Sequence, residues 1–179
     1  MLRRTIELEV EGVKARAALF DKEFPKTCDA IWDILPLKEP VGHGQWTGRE
    51  VWMELMGDQR VILEQEGNHP LFVLPGDICY AYRQPHCSRG TPTGVLESVE
   101  LAIYYGRDCR LWNVRGGAVV RGKLVGYRTH GYRMHIAHIF ENREQIQRVL
   151  DRVRQEGFKT MSITRGEPVE LAKIEPWVY

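Results

Sequence analysis

With 179 residues, 43% of them apolar and 27% charged, the chain has the length and composition of one globular domain with a sizeable core. A net charge of +1 excludes the global field that recruits nucleic acid or an anionic membrane surface. No apolar run reaches the roughly 18 residues of a membrane span, and the opening MLRRTIELEV alternates charge with apolarity where a signal peptide needs an unbroken apolar stretch, so the expectation is a cytoplasmic protein. Cys28, Cys79, Cys87 and Cys109 form no C-x-x-C pair, which argues for thiols in a reducing compartment and against a zinc site.

The first element is a hairpin. Thr5 to Val10 alternates at period two, Glu11-Gly12 is a turn signal, and Val13 to Phe20 resumes in β composition. A helix follows, with Pro25 at its first position and an apolar stripe of Cys28, Ile31, Trp32 and Leu35 that places Trp32 in the core; Pro36 stops it. A second hairpin is expected from Val41 to Leu55. If Thr47-Gly48 is its whole bend, Trp46 pairs with Arg49, Gln45 with Glu50, and His43 with Trp52. Val51, Met53 and Leu55 then face the core, and His43, Gln45, Glu50 and Trp52 share the other face.

Further strands are predicted over Gly76–Tyr82, Ser98–Tyr105 and Met134–Ile139. In the second of these, Val99, Leu101, Ile103 and Tyr105 form one face and Glu100, Ala102 and Tyr104 the other. Tyr80 and Tyr82 share a face with Ile78, which reads as core packing for at least one of them. Arg83–Leu96 reads as a loop, and Gly106–Tyr132 as a glycine-punctuated excursion with one or two short strands. The second helix has Asn142 as N-cap, Gln145 to complete a capping box, a stripe of Ile146, Val149, Leu150 and Val153, and Gly157 as C-cap. Phe158–Ile163 is a last strand, and Arg165–Tyr179 a tail expected to strap the domain or reach a neighbouring subunit. Helices this sparse cannot cover both faces of a parallel sheet, which argues for a mainly β (α+β) fold, a barrel or another α+β arrangement and not a doubly wound one, with a core over residues 5–163 of a single domain, 1–179.

Five segments carry a resemblance. Glu23-Phe24-Pro25-Lys26-Thr27-Cys28-Asp29-Ala30-Ile31-Trp32 after an opening hairpin resembles the first helix of cyclophilin-like proteins. Gly44 to Trp52, Pro75-Gly76-Asp77-Ile78, Ile103-Tyr104-Tyr105-Gly106 and His138-Ile139-Phe140-Glu141 extend it to a bacterial branch of that fold whose members are mostly uncharacterised. The resemblance spans Thr5 to Ile163 and implies a closed barrel of about eight strands with two capping helices. It carries over no proline isomerase activity, because the arginine, glutamine and aromatic set of true cyclophilins has no counterpart here. Cucumopine and mikimopine synthases, which have a cyclophilin-like domain and an added helical domain, are similar to this branch. They condense an amino acid bearing a nucleophilic ring with a 2-oxoacid and close the ring on the imine, a Pictet–Spengler-type cyclisation. The expected function is therefore a cofactor-independent small-molecule enzyme of that type, acting on an amino acid or amine and a carbonyl compound. The alternatives are a non-catalytic module binding a small molecule or peptide, and a peptidyl-prolyl isomerase.

The residues themselves suggest where such chemistry would sit. An imidazole, a carboxylate and an indole on the outer face of a hairpin form a ligand-like set, and partial burial is the usual way such groups are tuned to move protons near neutral pH. Glu50, His43 and Tyr104 are the expected catalytic residues. Trp46 and Trp52 are expected as aromatic walls, and Glu100 and His138 as substrate contacts. Arg83, Arg89, Arg115, Arg121, Arg128 and Arg133 are candidates for a substrate carboxylate. His69, His86 and His130 fall in loop-like sequence. His135 and His138 lie three apart, and on a regular strand they point to opposite faces, so no metal is expected there. No Walker loop, G-x-G-x-x-G, H-E-x-x-H or G-x-S-x-G is present, which leaves nucleotide, nicotinamide and triad chemistry without support. Trp112, Trp177 and the glycine-rich middle are candidates for a homo-oligomer contact.

Overall fold

The computed structural model describes residues 1–44, 47–64, 66, 73–83, 97–107, 109, 118–120, 123–125 and 131–174. Strands β1 (Leu2–Val10) and β2 (Val13–Leu19) are joined by Glu11 and Gly12. Their φ values of 50° and 77° are the two positive angles that a tight hairpin turn needs to match the strand twist. Helix α1 (Pro25–Asp33) buries Thr27, Cys28 and Ile31. Its N-cap, Phe24, has no side-chain acceptor. The Glu66 carboxylate takes that role from a distance, accepting from the backbone N–H of Lys26 at 3.2 Å and of Thr27 at 2.8 Å. Burial pushes the Cys28 thiol up to about 12, so it packs as a small apolar group. Trp32 is half-buried rather than interior: it packs on the core from outside, with the Arg4 and Arg165 guanidinium groups 5.4 and 5.2 Å from its ring centre.

The remaining elements are β3 (Leu37–His43), β4 (Glu50–Glu54), β5 (Asp77–Arg83), β6 (Ser98–Tyr104), β7 (Ala118–Val120), β8 (Lys123–Val125), β9 (Gly131–Glu141), α2 (Arg143–Glu156) and β10 (Lys159–Glu170). Eight strands close an antiparallel barrel in the order β1-β10-β3-β4-β6-β5-β9-β2, and β7 pairs with β8 separately. The expected mainly-β barrel with two helices is the observed fold. Strand alternation sends Ile6, Leu8, Val10, Val51, Met53, Leu101, Ile103, Ile163 and their neighbours into one continuous core. Tyr80 joins them, fully buried, its hydroxyl donating to Val61 O at 2.8 Å; Tyr82 is half-buried and donates to Glu97. Helix α2 closes one end with the four apolar residues of its stripe, all buried, and Gly157 ends it at φ 88°.

Two expectations are corrected. Asn142 does not cap α2 with its side chain: it sits at φ 57°, the left-handed turn that connects β9 directly to the helix, whereas a capping side chain needs an extended backbone there. The last strand runs on to Glu170, because β10 pairs with β3 through Lys159–Ile163 and with β1 from Met161 to Glu170. The first six residues of the expected tail are thus barrel strand. Trp112 and Trp177 lie outside the described residues.

Arg3 is buried and grips Glu23 in a two-pronged ion pair, at 2.5 and 2.6 Å. The Arg3 hydrogen bonds hold the Glu23 carboxyl below its ordinary range, so this stabilisation is present above the unfolded value of 4.5 and is lost as pH falls through the lower folded value. Glu23 is 41% exposed, which discounts the pair to about 1 kcal/mol. Glu23→Gln is expected to melt below the wild type at pH 7 and to converge with it in acid; a gap that persists in acid would assign the effect to packing.

Candidate active site

On β4, β5 and β6, the residues alternating with the core side chains point away from the barrel interior. On an ordinary barrel that outer face is solvated. Here it is buried: Glu50 is 2% exposed, Tyr104 0%, Asp77 3%, Glu100 4%, and His138 on neighbouring β9 is 1%. Val73 and Cys109 cover it, packing with Cys79, Ala102 and Tyr104 in a second apolar cluster outside the barrel.

The register arranges the polar residues in a row across four strands. Glu50 pairs with Tyr104 and Asp77 with His138. Ile78 pairs with Ile103, so Asp77 stands beside Tyr104 one residue further along, where the Gly76 N–H donates to Tyr104 O at 2.6 Å. The next row is Trp52, Ala102, Cys79 and His135, and Glu100 lies opposite Glu54 and Ala81 in the third.

Asp77 and His135, which the sequence did not single out as site residues, are central to this face. The Asp77 Oδ1 atom is 2.6 Å from His138 Nδ1 and 3.0 Å from His135 Nε2, while Oδ2 accepts the Leu74 N–H at 2.6 Å. Burial opposes ionisation of Asp77, but hydrogen bonds from His135 and His138, the His135 charge and the Leu74 N–H outweigh it and bring the carboxyl down to about 2. With Asp77 ionised, His138 donates through Nδ1–H, which fixes its tautomer. Gly76, at φ 106°, makes this approach possible: a Cβ there would lie 3.1 Å from His138 Cε1 and 3.0 Å from Arg143 Cδ. His135 is held edge-on against Phe20, ring centres 4.6 Å apart.

The expectation that His135 and His138 face opposite ways is overturned. The β5–β9 pairing shifts register between Ile78 and Cys79, and this bulge places both imidazoles on the Asp77 side of the sheet. One ligand atom from each of Asp77, His135 and His138 lies within 4.8 Å of the others, so the parity argument against a shared ion does not hold.

The expected two-residue bend at Thr47-Gly48 is also corrected. Gly44 N–H donates to Glu50 O at 2.7 Å, and His43 pairs with Val51, leaving five residues between the last bonded pair. The physical reason is competition from β6: Arg49 O accepts the Tyr105 N–H at 2.9 Å and is committed to that strand. His43 therefore shares the face of Val51, away from Glu50 and Trp52. Its Nε2 is 2.7 Å from the Tyr105 hydroxyl. Burial lowers the His43 pKa and raises that of Tyr105 to about 12, with Asp151 adding to the latter, so the two form a neutral hydrogen-bonded pair inside the barrel end.

Of the residues expected at the site, Glu50, Tyr104, Trp52, Glu100 and His138 come together on the covered face, and His43 does not. Trp52 is half-buried at the margin of this face; it lies over Gly42, with its ring nearly perpendicular to Phe158 at 5.9 Å. Trp46 lies outside the described residues, as do Gln45, Cys87, His69, His86, His130, Arg89, Arg115, Arg121 and Arg128 and the side chains of Arg83 and Arg133. A separate cavity of about 500 Å³ opens beside Arg3, Arg4 and Asp21, away from this face; its arginines are already neutralised by Asp21, Glu23 and Asp29.

The family model described as "Protein of unknown function (DUF3830)" matches residues 6–165. No curated protein matches the chain. Among solved structures, the chain is similar to the hypothetical protein AF2241 from Archaeoglobus fulgidus, solved in solution, with 17% identity, a TM-score of 0.50, and coverage of 92% of this chain and 95% of that one. It is also similar to McbB in complex with tryptophan, at 15% identity and a TM-score of 0.56; the match covers 92% of this chain but 46% of McbB, so this chain spans about half of that protein.

Proposed function

We propose that this chain, which belongs to the DUF3830 family, is a small-molecule enzyme that condenses an amino acid or amine with a 2-oxoacid or other carbonyl compound and cyclises the resulting imine. The observation that carries the proposal is the buried row of Glu50, Tyr104, Asp77 and His138 on the outer face of the barrel. A structural outer face has no need of two carboxylates, a phenol and an imidazole, each costly to bury. The fold shared with a tryptophan complex of McbB favours an amino acid among the reactants.

The chemistry asks for an acid and a base in one dry place. The amine adds to the carbonyl carbon, a proton is delivered as water leaves, the ring carbon attacks the imine carbon, and a base removes the ring proton. Tyr104 is assigned to polarise the carbonyl oxygen and Glu50 to move the protons. Trp52 and Trp46 are assigned as walls for a planar ring, and Glu100 and His138 as substrate contacts.

Incubation with tryptophan or histidine and a panel of 2-oxoacids, followed by mass spectrometry, tests this. A product at the summed reactant mass less one water is expected. The covering of the face by Val73 and Cys109 favours a second reading, a module that closes over a ligand without reacting; tight binding with no product after long incubation would select it.

A further inference from the structure

We propose that Asp77, His135 and His138 bind one divalent transition-metal ion of the zinc class, at the end of the polar row. The donor set is two imidazoles and one carboxylate, the borderline nitrogen–oxygen set that Zn²⁺, Co²⁺ and Fe²⁺ take. The three ligand atoms already lie within 4.8 Å of one another, with Asp77 Oδ1 as their common neighbour. Bonds of about 2.0–2.1 Å around a tetrahedral ion set its donor atoms about 3.3 Å apart. The contacts to Asp77 Oδ1, now 2.6 and 3.0 Å, need to open by about 0.7 and 0.3 Å while the two imidazoles turn toward each other.

Three further features fit a built site. The β9 bulge forfeits regular pairing, and its effect is to bring both histidines to one carboxylate. The Leu74 N–H occupies Asp77 Oδ2 and leaves Oδ1 for the ion, the kind of support that orients ligating carboxylates. Phe20 fixes the His135 ring, and Gly76 clears space against His138. Three protein ligands leave at least one coordination position for water or an oxygen of a small molecule, beside Tyr104.

The test uses full-length protein stripped with a chelator, titrated with Co²⁺ and followed by visible absorption, with bound Zn²⁺ counted by elemental analysis. The wild type is expected to take one ion per chain and show tetrahedral or five-coordinate cobalt bands. Asp77→Asn and His135→Ala are expected to weaken Co²⁺ binding at least 100-fold. His135 is 22% exposed and asparagine preserves the Asp77 shape, so both variants are suited to fold; circular dichroism checks that they do. Absence of the bands in the wild type, or equal binding by wild type and both folded variants, would overturn the proposal. The readout involves no turnover, so this site and the condensation reading stand or fall separately.

Discussion

Replacing Glu50 by glutamine is expected to lower condensation turnover by about 10²–10⁴-fold, the range for loss of a positioned acid–base group, while the melting temperature moves by only a few degrees. Glu50 is 2% exposed and pairs directly with Tyr104 across β4 and β6. Glutamine keeps its shape and removes only its capacity to accept and return a proton. His43→Ala serves as the contrast. It removes a hydrogen bond to Tyr105 on the interior face and is expected to leave turnover close to wild type while lowering stability. Turnover and melting temperature would be measured on the same preparations. If activity in Glu50→Gln falls only as far as stability does, Glu50 is structural and the assignment of the row fails.

Leu101→Ala is expected to cost about 2–5 kcal/mol of stability, which for a chain of this size lowers the melting temperature by roughly 5–15 °C. Leu101 is fully buried, in the strand that pairs with both β4 and β5, and its side chain lies on the opposite face from Glu100 and Ala102. The truncation leaves a cavity in a closed barrel whose backbone is hydrogen-bonded on both sides and cannot collapse to fill it. Thermal and denaturant unfolding check this; a loss below about 1 kcal/mol would mean that the interior at β6 is loosely packed. Together the two substitutions test the two faces of one sheet separately, Leu101 for its place in the barrel and Glu50 for its proposed place in the chemistry.

Much of the fold is legible along the chain because local periodicity reports which side of each element is dry. The stripe of Ile146, Val149, Leu150 and Val153 and the alternation of Val99, Leu101 and Ile103 each place a buried face correctly. The same alternation puts Glu100 and Tyr104 on the outer face, and the structure adds that this face is covered. The signal for Asp77 was weak: an acid just after Pro75-Gly76 reads as turn chemistry, and only its two imidazole neighbours give it another meaning.

What the residues determine by themselves is the inventory of strands and helices and which side chains alternate within each strand, since both follow from contacts a few residues apart. Register is a different quantity, set by hydrogen bonds between segments far apart in sequence. Tyr105 takes the carbonyl of Arg49 and so lengthens the β3–β4 bend, and the β5–β9 bulge turns His135 toward Asp77. A shift of one residue moves every side chain of a strand to the other face. The closing of the barrel therefore decided that His43 joins Tyr105, and that Glu50, Tyr104, Asp77 and His138 share a buried surface.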